Sequence, residues 1–104
     1  MRNKHMKITN EMVRQSLAEQ YDEEVLNAMS MFETPCFAAA IVGVTHDNRL
    51  VYDYDKMVQC LVEEDGMDEE EAIEFIDYNT IRTLPYMENP PVIYMPLIMF
   101  NTEE

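Results

Sequence analysis

A chain of 104 residues with 47% hydrophobic residues and only two glycines has the composition of one folded domain, not of a disordered tail. Seven bases against twenty-one acids, a net charge of −14, argue against direct nucleic-acid binding, which needs clustered Lys and Arg, and against attraction to an anionic membrane. No apolar run approaches the roughly eighteen residues of a spanning helix, and the basic start MRNKHMKITNEM has no apolar stretch behind it, so a cytoplasmic location is the expectation.

Residues 1–8 carry Arg2, Lys4, His5 and Lys7 without periodicity and are expected to be a mobile end; Met6 is a second candidate start beside Met1. Residues 9–104 are read as a single domain. Thr9 or Asn10 caps a first helix, in which Val13, Leu17, Tyr21, Val25, Ala28, Met29 and Phe32 mark one apolar stripe. Thr34-Pro35 should end it, because the residue before proline is pushed out of the helical region. The apolar run FAAAIVGV (residues 37–44) and the segment from Arg49 to Tyr54 flank the turn pair Asp47-Asn48, so a β-hairpin is expected. The Ala38-Ala39-Ala40 part fits a strand poorly, since alanine prefers a helix.

Tyr54, Met57, Val58, Leu61 and Val62 recur at helical spacing, which predicts a helix capped by Asp53 or Asp55 and stopped by Gly66 in a left-handed conformation. Asp68 with Glu71 three residues later is a variant capping box. It opens a second helix with Ala72, Ile73, Ile76 and Thr80 inward, ended by Leu84-Pro85. After Glu88-Asn89-Pro90-Pro91 comes the apolar run VIYMPLIMF, read as a strand that Pro96 confines to an edge or splits. These elements together predict an α+β fold: an N-terminal helix, a β-hairpin, two acidic helices and a C-terminal strand in two layers.

Few catalytic chemistries find their residues. Gly43 and Gly66 are the only glycines, too few for a phosphate-cradling loop. His5 and His46 with two distant cysteines do not make a zinc site. Aligning Gly66 with the glycine of a calcium loop puts Leu61 and Ala72 where carboxylates are required. Cys36 and Cys60 are expected to stay free in a reducing compartment. A raised carboxylate pKa needs burial, and acids at an exposed helix start do not offer it, which leaves an acid-using hydrolase the weakest of three function classes. No cofactor and no metal are expected.

The charge is concentrated. Asp53, Asp55, Glu63, Glu64, Asp65, Asp68, Glu69, Glu70, Glu71, Glu74 and Asp77 face the single base Lys56 between residues 53 and 77, and this window carries −10 of the −14. Such a surface attracts a basic partner, so these eleven residues are the candidate partner-binding set, with solvation as the plainer reading. Ten methionines suit either a plastic core or an adaptable interface, with Met12 and Met57 placed on core stripes. Tyr52, Tyr54, Tyr78, Tyr86 and Tyr94 surround the acid-rich helices and either complete a face that imitates nucleic acid or, on the plainer reading, are amphipathic residues at the rim of the core. The C-terminal apolar run needs a cover, so it pairs with the hairpin, covers the helices or makes a subunit interface; for the last, Val92, Ile93, Tyr94, Met95, Leu97, Ile98, Met99 and Phe100 are the candidate homodimer interface.

The segment VYDYDKMVQCLVEEDGMDEEEAIEFIDYNTIRTLPY resembles a group of small acidic proteins of unassigned function from Gram-positive gut bacteria and their phages. The resemblance covers residues 6–97 and is most specific at Asp-Tyr-Asp-Lys and at Tyr78 to Arg82. It transfers no catalytic residue. What it implies is a mobile-element setting, in which small acidic proteins act as anti-CRISPR or anti-restriction inhibitors, some by mimicking DNA. The leading expectation is therefore a non-catalytic inhibitor that binds the basic nucleic-acid channel of a host enzyme, such as a Cas nuclease. The alternative is a homo-oligomeric accessory module joined through its C-terminal strand.

Overall fold

The computed structural model describes residues 7–97. Its architecture is α+β, as the patterning predicts. In order come helices α1 (Asn10–Leu17) and α2 (Glu23–Ala28), a 3-10 turn (Pro35–Ala40), and strands β1 (Ile41–Val44) and β2 (Leu50–Asp53). Helices α3 (Tyr54–Asp65) and α4 (Glu69–Phe75) follow, then a π-helical turn (Ile76–Thr80), a second 3-10 turn (Ile81–Tyr86) and strand β3 (Val92–Tyr94). No helix among the described residues is long and apolar enough to cross a membrane.

The hairpin forms as expected. β1 pairs antiparallel with β2, and Asn48 adopts φ 68°, the left-handed conformation that asparagine tolerates. The Thr45 hydroxyl accepts from the Arg49 amide at 2.9 Å and steadies the turn. β3 joins the other side of β2 in parallel, giving the order β1-β2-β3. A parallel pair requires a crossover, and α3, α4 and the turns after them supply it. β2 is therefore the central strand, and Leu50 and Tyr52 on it are fully buried.

Three expectations about the first half change. The single N-terminal helix to Phe32 is two short helices, with Ala18 to Asp22 turning between them. A straight helix over that stripe would run about 35 Å, whereas strands of four residues span only about 13 Å. The bend lets Leu26, Met29 and Phe32 reach the same core. Met12, expected on a core stripe, is 39% exposed because α1 lies at the rim and buries no residue. The run from Phe37 also divides: its first part is the 3-10 turn with Phe37, Ala38 and Ala40 buried, in line with alanine's helical preference. Only Ile41–Val44 is strand.

The second half follows the sequence signals closely. Asp53 caps α3, accepting from the Lys56 amide at 3.1 Å. Gly66 closes it at φ 73°, and the Met67 amide donates back to the Leu61 carbonyl at 3.3 Å, the closing bond of a left-handed helix end. The capping box is complete, with Asp68 accepting from the Glu71 amide at 2.9 Å and Glu71 from the Asp68 amide at 3.0 Å. α4 does not run on to Leu84 as a regular helix. It passes into the π-helical turn at Ile76 and tightens to 3-10 around Pro85, while Ala72, Ile76 and Thr80 stay buried.

The core gathers Leu26, Met29, Phe32, Phe37, Leu50, Tyr52, Met57, Leu61 and Ile76 from nearly every element. Tyr52 sits at its centre. Its ring lies 4.6 Å from that of Phe32, and its hydroxyl accepts from the Phe32 amide at 3.1 Å. Burial pushes this phenol's pKa above the ordinary tyrosine value, and the Phe32 amide bond opposes the shift only in part. The cysteines, expected free, form a disulfide: Cys36 in the first 3-10 turn is bonded to Cys60 in α3. The fold brings their Cα atoms to 5.9 Å, inside the range a disulfide spans.

Candidate acidic interaction surface

The eleven acids between residues 53 and 77 separate into groups by what their surroundings do to them. Asp53 leaves the candidate set. It is 7% exposed, one carboxylate oxygen caps α3, and the other accepts from the Tyr94 hydroxyl at 3.3 Å. A buried carboxylate with both oxygens engaged belongs to the fold, not to a partner. Asp68 and Glu71 are exposed but hold each other's backbone in the capping box.

Glu69 and Glu70 stand with Glu71 in the first turn of α4, where the helix dipole stabilises an anion by about 0.3–1 kcal/mol. Their presence has a local structural cause. Glu70, Glu74 and Asp77 follow at four- and three-residue spacing, which places like charges side by side along the helical path. All three are exposed.

Glu63, Glu64 and Asp65 are different. They fill the last turn of α3, which has no basic residue. The dipole there is negative, so three carboxylates in that turn oppose the helix they belong to. Among the described residues one ion pair reaches them: Lys7 lies 3.1 Å from Glu64, but both side chains are open to solvent, where such a pair contributes little. Gln59 donates to Glu63 at 3.0 Å, which positions the carboxylate without cancelling its charge.

These acids edge a groove of about 960 Å³, whose other walls are the chain from Lys7 to Glu11 and the segment around Glu33 and Cys36. Glu11, Glu33, Glu63, Glu64 and Asp65 line it against the bases Lys7 and Lys56, so it is acidic. Ile8, Pro35, Ala39 and the Cys36–Cys60 bridge supply apolar lining. The spacing of Lys56, Cys60 and Glu64 marks one face of α3 in the sequence. The opposing wall could not be read there, because it depends on where the chain from Lys7 to Glu11 and the first 3-10 turn lie relative to α3.

The tyrosines do not form one ring around the acids. Tyr52 is in the core and Tyr54 is half-buried. Tyr94, 41% exposed, is committed to Asp53. Loss of solvent, with the charges of Asp53 and Asp55 and the hydrogen bond to Asp53, raises its pKa. Tyr78 and Tyr86 are open, and the Arg82 guanidinium lies 5.2 Å from the centre of the Tyr78 ring, within reach of a cation–π contact.

At the other end of the crossover, β3 pairs on one side only among the described residues, and Tyr94, Met95 and Leu97 at and after it are exposed. Val92 and Ile93 are half-buried against the sheet. Ile98, Met99 and Phe100, the rest of the expected interface, lie outside the described residues. Among the described residues no three His, Cys, Asp or Glu side chains converge as a metal-binding group. Compared with known proteins, the chain matches no family model, no curated protein and no solved structure.

Proposed function

We propose that the protein is a non-catalytic acidic interaction protein that occupies the basic nucleic-acid channel of a partner enzyme. In its sharpest form this is a cytoplasmic inhibitor of the anti-CRISPR or nucleic-acid-mimic type, with a Cas nuclease as the partner. One observation carries the reading: Glu63, Glu64 and Asp65 crowd the helix end where anions are least favoured, with no base in that turn. Local stability does not account for them, and a site that violates a local rule is where function is to be sought. Asp55, Glu69, Glu70, Glu74 and Asp77 extend the exposed charge beyond that turn.

Electrostatic recognition of this kind is fast at low salt and weakens steeply as salt rises. Purified basic nucleic-acid-binding enzymes, Cas nucleases among them, can be titrated with the protein at about 50 and 500 mM salt. The expected result is binding that weakens at least tenfold over this range and is displaced by the enzyme's own nucleic acid. Binding that keeps its strength at high salt, or that coexists with bound nucleic acid, would contradict channel occupation.

A second reading, a homodimer joined through β3, is favoured by the exposed Tyr94, Met95 and Leu97 at and after a strand that, among the described residues, pairs on one side only. There the acids only solvate the outer face. The two readings separate on mass: the inhibitor has no need of self-association, whereas the module is a dimer before it meets any partner.

A further inference from the structure

We infer that Cys36 and Cys60 form a reversible dithiol–disulfide site that clamps the first 3-10 turn to α3. The bridge joins cysteines 24 residues apart in sequence, on two elements that pack closely along one another. Three observations separate it from an inert structural bridge.

The sulfurs are reachable. Both cysteines are half-buried and both line the acidic groove, so a small thiol can approach from solvent along an open wall. Thiol–disulfide exchange depends on such access as well as on the thiolate.

The reduced state is already accommodated. Cys60 Sγ lies 3.2 Å from the Met57 carbonyl oxygen. In the bridged chain this sulfur has no proton to donate. Once reduced, the Cys60 thiol has a carbonyl acceptor within reach as the sulfurs separate.

The fold does not hang on the bridge. The cluster of buried side chains is built without either cysteine, which pack only against its edge. Phe37 and Ala40 on one side and Met57 and Leu61 on the other remain in that cluster when the sulfurs part. Reduction should therefore loosen the clamp and leave the fold standing.

The chemistry is a two-electron exchange. The thiolate of a small dithiol attacks one sulfur of the bridge, forming a mixed disulfide and releasing the other cysteine as a thiolate. The second thiol of the reductant then attacks the mixed disulfide. The reductant leaves as a cyclic disulfide, and the protein holds two thiols after taking up two protons. An oxidised thiol compound such as glutathione disulfide runs the sequence in reverse. In a reducing compartment a protein disulfide is characteristically of this transient kind.

The experiment uses the full chain, purified in air. Half is treated with dithiothreitol under native conditions, and both halves are alkylated with iodoacetamide and weighed intact. The untreated chain should take no label and the reduced chain two. The reduced chain should keep its far-UV circular dichroism and melt roughly 10–20 °C lower, and glutathione disulfide should restore the first state. A Cys36→Ser/Cys60→Ser variant should melt like the reduced chain and not respond to dithiothreitol. Two labels without reductant would overturn the bridge itself. Reduction only after denaturant, or loss of the fold on reduction, would overturn reversibility.

Discussion

Asp53 does two jobs with two oxygens, capping α3 and holding Tyr94 of the edge strand. It thus ties the start of the crossover to its end. Replacing it with alanine removes a helix cap, about 0.5–2 kcal/mol, and a charge-assisted hydrogen bond. The expected loss is roughly 2 kcal/mol in urea unfolding, and a loss under about 0.5 kcal/mol would show that the two bonds contribute nothing. Tyr52 makes a different prediction. Its phenol is favoured in the neutral form by burial, so the folded chain binds that proton more tightly than the unfolded chain. Stability from this group is complete below about pH 10, the ordinary tyrosine value, and is lost as pH rises through the raised one. Unfolding followed from pH 8 to 12 should show that loss. In Tyr52→Phe the slope should be shallower, although the variant starts less stable because the Phe32 amide loses its acceptor.

Among the elements, what was legible in the sequence was what local chemistry decides. Asp53, Gly66, and the pair Asp68 and Glu71 set the ends of α3 and α4 through bonds that span three to six residues, and such bonds are written in adjacent letters. Asn48 fixed the hairpin turn for the same reason. The first helix was misread because its stripe continues through Tyr21 while the chain does not: Leu17 and Tyr21 both pack against the core, but around a bend that helical periodicity cannot reveal. The disulfide was missed for a related reason. Cys36 and Cys60 meet only because the 3-10 turn lies along α3, a tertiary fact with no signal in either cysteine's neighbours. Of the candidate surface, the exposed acids were legible, the burial of Asp53 was not, and the groove depended on the placement of α1 and of the first 3-10 turn.

Across the whole molecule the charge is unevenly explained. α4's first-turn acids stabilise their own helix, and Asp53 stabilises the crossover. Glu63, Glu64 and Asp65 do neither, and the account rests on them. The most direct test is the variant Glu63→Gln/Glu64→Gln/Asp65→Asn, with its unfolding free energy and its affinity for the basic partner measured side by side. Removing anions from the negative end of α3 should raise stability by about 0.3–1 kcal/mol per residue, while binding weakens by tenfold or more at low salt. A variant that is more stable and binds as well as before would make these acids mere solvation and would contradict the proposed function. So would a variant that loses stability, because the three carboxylates would then have a structural purpose.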